Sequence, residues 1–226
     1  MTQIVLLHGA MGSSSQMQGL GKLLEPHFEV FAFDFCGHGA RASEYISFSV
    51  QEFAADLDEF LMQKKIINPF IFGYSMGGYV ALYHSLHFKN GAKKIFTLGT
   101  KFNWSPAIAE KEVALLDTHV MQTKIPKFVE VLKNRHGEKM WDDVVKKTQD
   151  MMHLLGNNYQ LDDEDLANIK CRVVLMLADD DNMVTEEETE QAHDSIAHSE
   201  YVIIQNSKHP IEKVDLEELV KVILKF

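Results

Sequence analysis

Basic residues are in short supply: 22 lysines and arginines stand against 33 aspartates and glutamates, for a formal net charge of -11. Such a chain lacks the positive footprint that a phosphate backbone or an anionic bilayer requires, so neither nucleic acid nor membrane is an expected partner. Cysteine is nearly missing as well. Cys36 and Cys171 are far apart, offer neither a disulfide framework nor a zinc spacing, and suit a reducing compartment as two free thiols. No apolar run approaches the ~20 residues of a membrane-spanning helix. A strand-like run already begins at residue 3, which leaves no room for the charged and apolar regions of a signal peptide. These absences lead to the expectation of a cytoplasmic protein. Neither a repeat nor a low-complexity tract breaks the chain, and its length fits one large domain carrying an insertion.

What is present is an alternation of strand and helix patterns. Gln3-Ile4-Val5-Leu6-Leu7 is a short apolar run of the kind buried on both faces, and it ends in His8-Gly9-Ala10-Met11-Gly12. A helix from the Ser13-Ser14-Ser15 cap to about Leu24 leads into the strand-like Phe28-Glu29-Val30-Phe31-Ala32-Phe33 and the turn 34–39. Residues 50–64 carry a helical stripe of Phe53, Leu57, Phe60 and Leu61. Further strands are expected at 69–72, 94–98, 171–177 and 201–204, with helices at 79–86, 186–197 and 214–226. About six strands in this order imply right-handed crossovers and a mainly parallel sheet with helices on both faces. Function then collects at the carboxyl ends of the strands.

Gly73-Tyr74-Ser75-Met76-Gly77-Gly78 sits where the strand at 69–72 meets a helix. A strand-turn-helix of this tightness forces its central residue into strained angles, and glycines two positions either side remove the colliding side chains. The Ser75 hydroxyl is thereby exposed. The N–H of Met76, at the opening of the helix, is a natural donor to negative charge developing on an attacked carbonyl. A serine hydroxyl is a weak nucleophile at neutral pH and needs a base, which in turn needs an acid to fix its tautomer. Asp179-Asp180-Asp181 follows one late strand and His209 follows the last, at the same sheet edge.

The order serine, aspartate, histidine, the G-x-S-x-G pattern at Gly73 to Gly77, the glycine-rich turn at His8 to Gly12 and the D-x-x-G-H-G turn at Asp34 to Gly39 together resemble the α/β-hydrolase superfamily over nearly the whole chain. The resemblance implies Ser75 as nucleophile, His209 as base, one carboxylate of the triple-aspartate loop as acid, and the N–H groups of Ala10 and Met76 as oxyanion hole. In the family the acid lies three residues after a small residue and shortly before an apolar one; Ala178 and Val184 fill those places and select Asp181. Asp179 and Asp180 are then expected to be solvated or to cap the next helix. The small helical-capped esterases, thioesterases and lactonases are the nearest in style, although the usual antiparallel strand pair at the start is missing.

Between residues 100 and 170 no strand pattern occurs, far beyond the usual connection of about 2 to 6 residues. The expected domains are therefore a core of 1–99 and 171–226 and a helical cap of 100–170, matching the family's cap. Trp141, Val144, Val145, Thr148, Met151, Met152 and Leu155 form one helical apolar face that packs on the domain and in part roofs the pocket. Met11, Trp104, Met121, Met151 and Met152 are its candidate lining. His8 and His38 read as turn residues bonded to local backbone rather than as catalysts. His84 and His87 lack accompanying ligands, and the aspartate run lacks the glycine and glutamate of a calcium loop, so neither metal nor cofactor is expected. The expected activity is hydrolysis of a small or medium carboxylic ester through an acyl-enzyme on Ser75. Thioester, lactone or C–C cleavage, or an elimination on the same residues, is the alternative; a hydrolase-fold ligand receptor without turnover is a third.

Overall fold

The computed structural model describes residues 1–158 and 161–226. Six strands, β1 (Thr2–Leu7), β2 (Phe28–Phe33), β3 (Phe70–Tyr74), β4 (Lys94–Leu98), β5 (Arg172–Asp180) and β6 (Ser199–Lys208), form one sheet. Their order is β2-β1-β3-β4-β5-β6, and every pairing is parallel. The helices are α1 (Gln18–Leu24), α2 (Val50–Lys64), α3 (Met76–His87), α4 (Pro106–Val113), α5 (Thr118–Lys124), α6 (Pro126–His136), α7 (Trp141–Asn157), α8 (Asp163–Ala167), α9 (Glu186–Ser195) and α10 (Leu216–Lys225).

Alternation along the strands sorts side chains onto two faces. Val5, Leu7, Ile71, Ile95, Val173 and Leu175 pack with Phe53 and Leu57 of α2, Val80 of α3 and Ala192 of α9. Ile4, Leu6, Phe72, Phe96, Val174 and Met176 face the other way, under Leu20 and Leu24 of α1 and Leu219 and Ile223 of α10. The chain leaves β1 toward β2 and then returns to build all later strands on the opposite side. That reversal opens a crevice beyond the carboxyl ends of β1 and β3.

Local chemistry sets where the helices begin and end. The Ser49 hydroxyl accepts the Glu52 N–H at the start of α2, which stops at left-handed Lys65 (φ 56°). Ser105 caps α4 with Pro106 in its first turn, Pro126 opens α6, and Asp162 and Asp165 form a reciprocal capping box on α8. Each such cap contributes about 1 kcal/mol.

Among the described residues of the insertion between β4 and β5, every regular element is a helix. Trp104, Ala109, Val144, Met151 and Leu155 join the same core as β1 and β3, whereas Leu116, Val129, Leu132, Trp141 and Val145 form a small satellite. The final helix α8 turns back to the sheet side, where Ser195 of α9 donates to Asp163 at 3.2 Å.

Strands β5 and β6 run further than their apolar sequence suggests. Asp180 pairs with Lys208 across a register shift, and the Asp179 carboxylate accepts the N–H groups of Asn206 and Ser207 at 2.9 and 2.8 Å. Asp179 thus braces the ends of the strands instead of capping α9, whose cap is Thr185. Asp180 is exposed and ion-paired with Lys208.

Candidate active site

The residues that follow β1, β3, β5 and β6 converge on one cavity of about 600 Å³. Ser75 sits between β3 and α3 at φ 52°, ψ -117°, a conformation strained for any side-chain-bearing residue. Neighbouring atoms hold it there: its N–H donates to Leu98 O at 2.8 Å, and its carbonyl accepts Thr100 Oγ1–H at 3.0 Å. A Cβ on Gly73 would approach Gly78 N to 2.4 Å, so the turn closes only over glycine. Among the described residues, nothing accepts from the N–H groups of Met76 or Ala10. Both residues line the cavity.

His209 also lines it, with Nδ1 2.8 Å from Asp181 Oδ2. Asp181 Oδ1 accepts the N–H groups of Met183 and Val184 at 2.9 Å each. Burial by itself would raise the Asp181 carboxyl, but the His209 bond and charge and the two N–H groups outweigh it and hold the acid below its ordinary value. The pair sits against Gly99 (φ 60°), where a Cβ would lie 3.1 Å from both Asp181 Oδ2 and His209 Nδ1. Nothing in the local sequence marks Gly99 for that role.

The wall is largely apolar. Met11, Trp104, Met151 and Met152 line it, joined by Leu115 and Phe128, which the sequence gave no reason to single out. Met121 does not line it. At 1% exposure it is packed into the satellite core with Leu132 and Trp141, because its position on α5 faces α6 and α7 instead of the cavity. Charges at the edge are largely engaged. Lys101 donates to Met183 O at 2.9 Å and pairs with Glu112 at 3.3 Å, while Lys213 is exposed.

His8 and His136 serve the backbone. His8 Nε2 accepts the Phe35 N–H at 3.2 Å, leaving Nδ1–H to donate to Gly9 O at 2.8 Å. His136 Nδ1 accepts the Gly39 N–H at 3.0 Å, and Nε2–H donates to Met11 O at 2.9 Å. Burial lowers both to about 4. His38, between them at ring distances of 5.0 and 5.8 Å, is also held well below its ordinary value by burial, and among the described residues its Nε2 has no partner. Asp34 accepts the N–H groups of Ser14 and Ala40 at 2.6 and 3.0 Å. Among the described residues no cluster of histidine, cysteine or carboxylate could hold a metal ion, and no helix is long and apolar enough to cross a membrane.

Residues 2–144 match a family described as alpha/beta hydrolase fold. The chain belongs to the α/β hydrolase family. It is 32% identical over 97 residues to a pimeloyl-[acyl-carrier protein] methyl ester esterase of Vibrio vulnificus, covering 43% of this chain and 36% of that one. It is also 32% identical over 82 residues to a 2-succinyl-6-hydroxy-2,4-cyclohexadiene-1-carboxylate synthase of Enterobacter sp., covering 36% and 31%. The chain thus spans about a third of the length of the curated relatives it matches. Its fold is shared with MenH from S. aureus at a TM-score of 0.79 and 18% identity, covering 99% of this chain and 92% of that one.

Proposed function

We propose that the protein is a serine hydrolase of small or medium, uncharged carboxylic esters. The observation that carries this reading is that a serine at a strained strand-to-helix turn and a buried histidine–aspartate pair open into one largely apolar cavity. Ser75 Oγ attacks the ester carbonyl while His209 Nε2 takes its proton. Asp181 holds the Nδ1–H tautomer and stabilises the imidazolium that forms. The free N–H groups of Ala10 and Met76 receive the oxyanion. Collapse expels the alcohol, which takes the proton from His209 and leaves the acyl group on Ser75. Water, deprotonated by the same imidazole, then releases the acid.

The insertion between β4 and β5 acts as the cap and sets the shape of the acyl site through Trp104, Met151 and Met152. An uncharged acyl group is favoured because two of the three cations that line the cavity, Lys101 and Arg135, are already bonded to Glu112 and Met183 O, and to Glu212 and Met11 O, while the third, Lys213, is exposed to solvent. A second reading is an elimination on the same three residues, one of the alternatives that the α/β-hydrolase resemblance implies; a relative named as a synthase and not a hydrolase keeps a non-hydrolytic reaction in view.

A fluorophosphonate probe and a panel of esters and thioesters of graded acyl length test the proposal. Labelling and turnover are expected in the intact protein, with both abolished in Ser75→Ala. Ester turnover surviving in Ser75→Ala would refute the role of Ser75, and labelling without turnover of any ester would favour the elimination.

A further inference from the structure

The oxyanion loop is gripped by two residues of α6 more than a hundred positions away. Arg135 Nη1 and His136 Nε2 both donate to the carbonyl of Met11, each at 2.9 Å. Met11 itself is held at φ 54°, in the left-handed region that a residue with a side chain rarely occupies. His136 is fixed in turn by the Gly39 N–H on Nδ1, and Arg135 by Glu212, which Gln16 also binds at 2.8 Å. Glu212 lies three residues beyond His209.

The grip is passed on through rigid units. A peptide group is planar, so fixing the Met11 carbonyl also fixes the N–H at the other end of that group, which belongs to Gly12. This N–H donates to Gly9 O at 3.0 Å, where His8 Nδ1–H is the second donor at 2.8 Å. The Gly9 carbonyl and the Ala10 N–H form the next planar unit, and in a trans peptide they point in opposite directions. Two linked peptide planes therefore join α6 to the Ala10 N–H.

We infer that Arg135 and His136 are positioning residues that aim the Ala10 N–H at the oxyanion by holding the Met11 carbonyl from the cap. The inference rests on the reading of Ser75 as nucleophile. Neither side chain touches the reacting atoms. Their contribution is alignment: a donor that is already in place needs no reorganisation when charge develops, whereas a free loop with left-handed Met11 would relax. Without them the hole retains Met76 and loses a well-aimed second donor.

The test compares His136→Gln, which keeps an N–H donor and an acceptor, with His136→Ala and Arg135→Ala. Active sites are counted by fluorophosphonate titration, so that misfolded protein does not enter the rates. Loss of one oxyanion donor costs roughly a hundredfold to a thousandfold in kcat, and misaiming one should cost about tenfold to a hundredfold. The alanine variants are therefore expected to lose that factor in kcat per titrated site with KM within about twofold, and His136→Gln to recover most of it. Affinity for a trifluoromethyl ketone, which forms a tetrahedral anion on the serine, should fall in parallel, while affinity for an unreactive amide analogue stays level. A kcat per site in both alanine variants equal to that of the unaltered protein would overturn the inference. So would equal losses of affinity for ketone and amide. Failure of the nucleophile assignment reads out separately, as turnover that persists in Ser75→Ala.

Discussion

Lowering the pH from 8 to 5 should strip stability from this protein through histidines that fold neutral. Burial takes His8 and His136 from 6.5 to about 4, since each is enclosed and uses one ring nitrogen as an acceptor that a proton would block. The unfolded chain then binds more protons than the folded one between these two values. Their contribution is fully present above 6.5 and is lost as the pH falls toward 4. At pH 5 an unfolded histidine is almost entirely protonated and a folded one barely so, which amounts to about 2 kcal/mol for each residue. Two such residues would remove roughly 4 kcal/mol from a domain whose total is of the order of 5 to 15. Asp56 and Glu188, raised by burial, oppose the trend, so the decisive quantity is a difference. Urea unfolding at pH 8 and pH 5 measures it for the unaltered protein and for His136→Gln, which cannot titrate. The variant should lose about 2 kcal/mol less on acidification. An identical loss in both proteins would show that His136 is not held neutral by the fold, and the reasoning would fail.

Other consequences can be measured alongside. Asp181→Asn holds His209 in the wrong tautomer and should lower kcat by up to about ten-thousand-fold; Asp179→Asn and Asp180→Asn should stay within a few-fold, and collapse in either with Asp181→Asn near normal would reverse the assignment. Gly99→Ala meets both left-handed strain and the Asp181–His209 pair 3.1 Å away, so turnover should drop at least tenfold at unchanged KM; an unaffected rate would show that the pair tolerates displacement. Met152→Ala should change discrimination between neighbouring acyl lengths by about 1 to 3 kcal/mol per methylene, and an unaltered chain-length profile would remove Met152 from the acyl site.

The elements that carry a strong local signal were legible before any coordinates. Residues 50–64 show a helical stripe, and the helix has those bounds. The serine turn is written in its glycines. Among the three aspartates, the resemblance to the α/β-hydrolases singles out Asp181 through Ala178 and Val184, and its carboxylate meets His209. The ends of β5 and β6 were not readable, because Asp179, Asp180 and Asn206 look like loop residues until a partner strand supplies the ladder. Met121 carries the same polarity as the methionines that line the cavity, and only the packing of α5 turns it away. The hold of Arg135 and His136 on Met11 depends on residues about 125 positions apart, which no window along the chain can bring together.

The insertion is fastened to the core beside the cavity that it helps to enclose. Trp104, Val144, Met151 and Leu155 belong to the core that holds α2 and α3 to the sheet, so swinging the insertion aside would expose four large apolar groups to water. At about 1.5 to 3 kcal/mol each, that cost approaches the stability of an entire domain. That cost opposes a hinged door. Among the side chains lining the cavity, Leu115, Phe128, Val131 and Met183 are between 37% and 65% exposed and can change rotamer within nanoseconds. On the ester-hydrolase reading proposed above, substrate would pass by rearranging these four side chains, and such passage should be fast compared with bond cleavage.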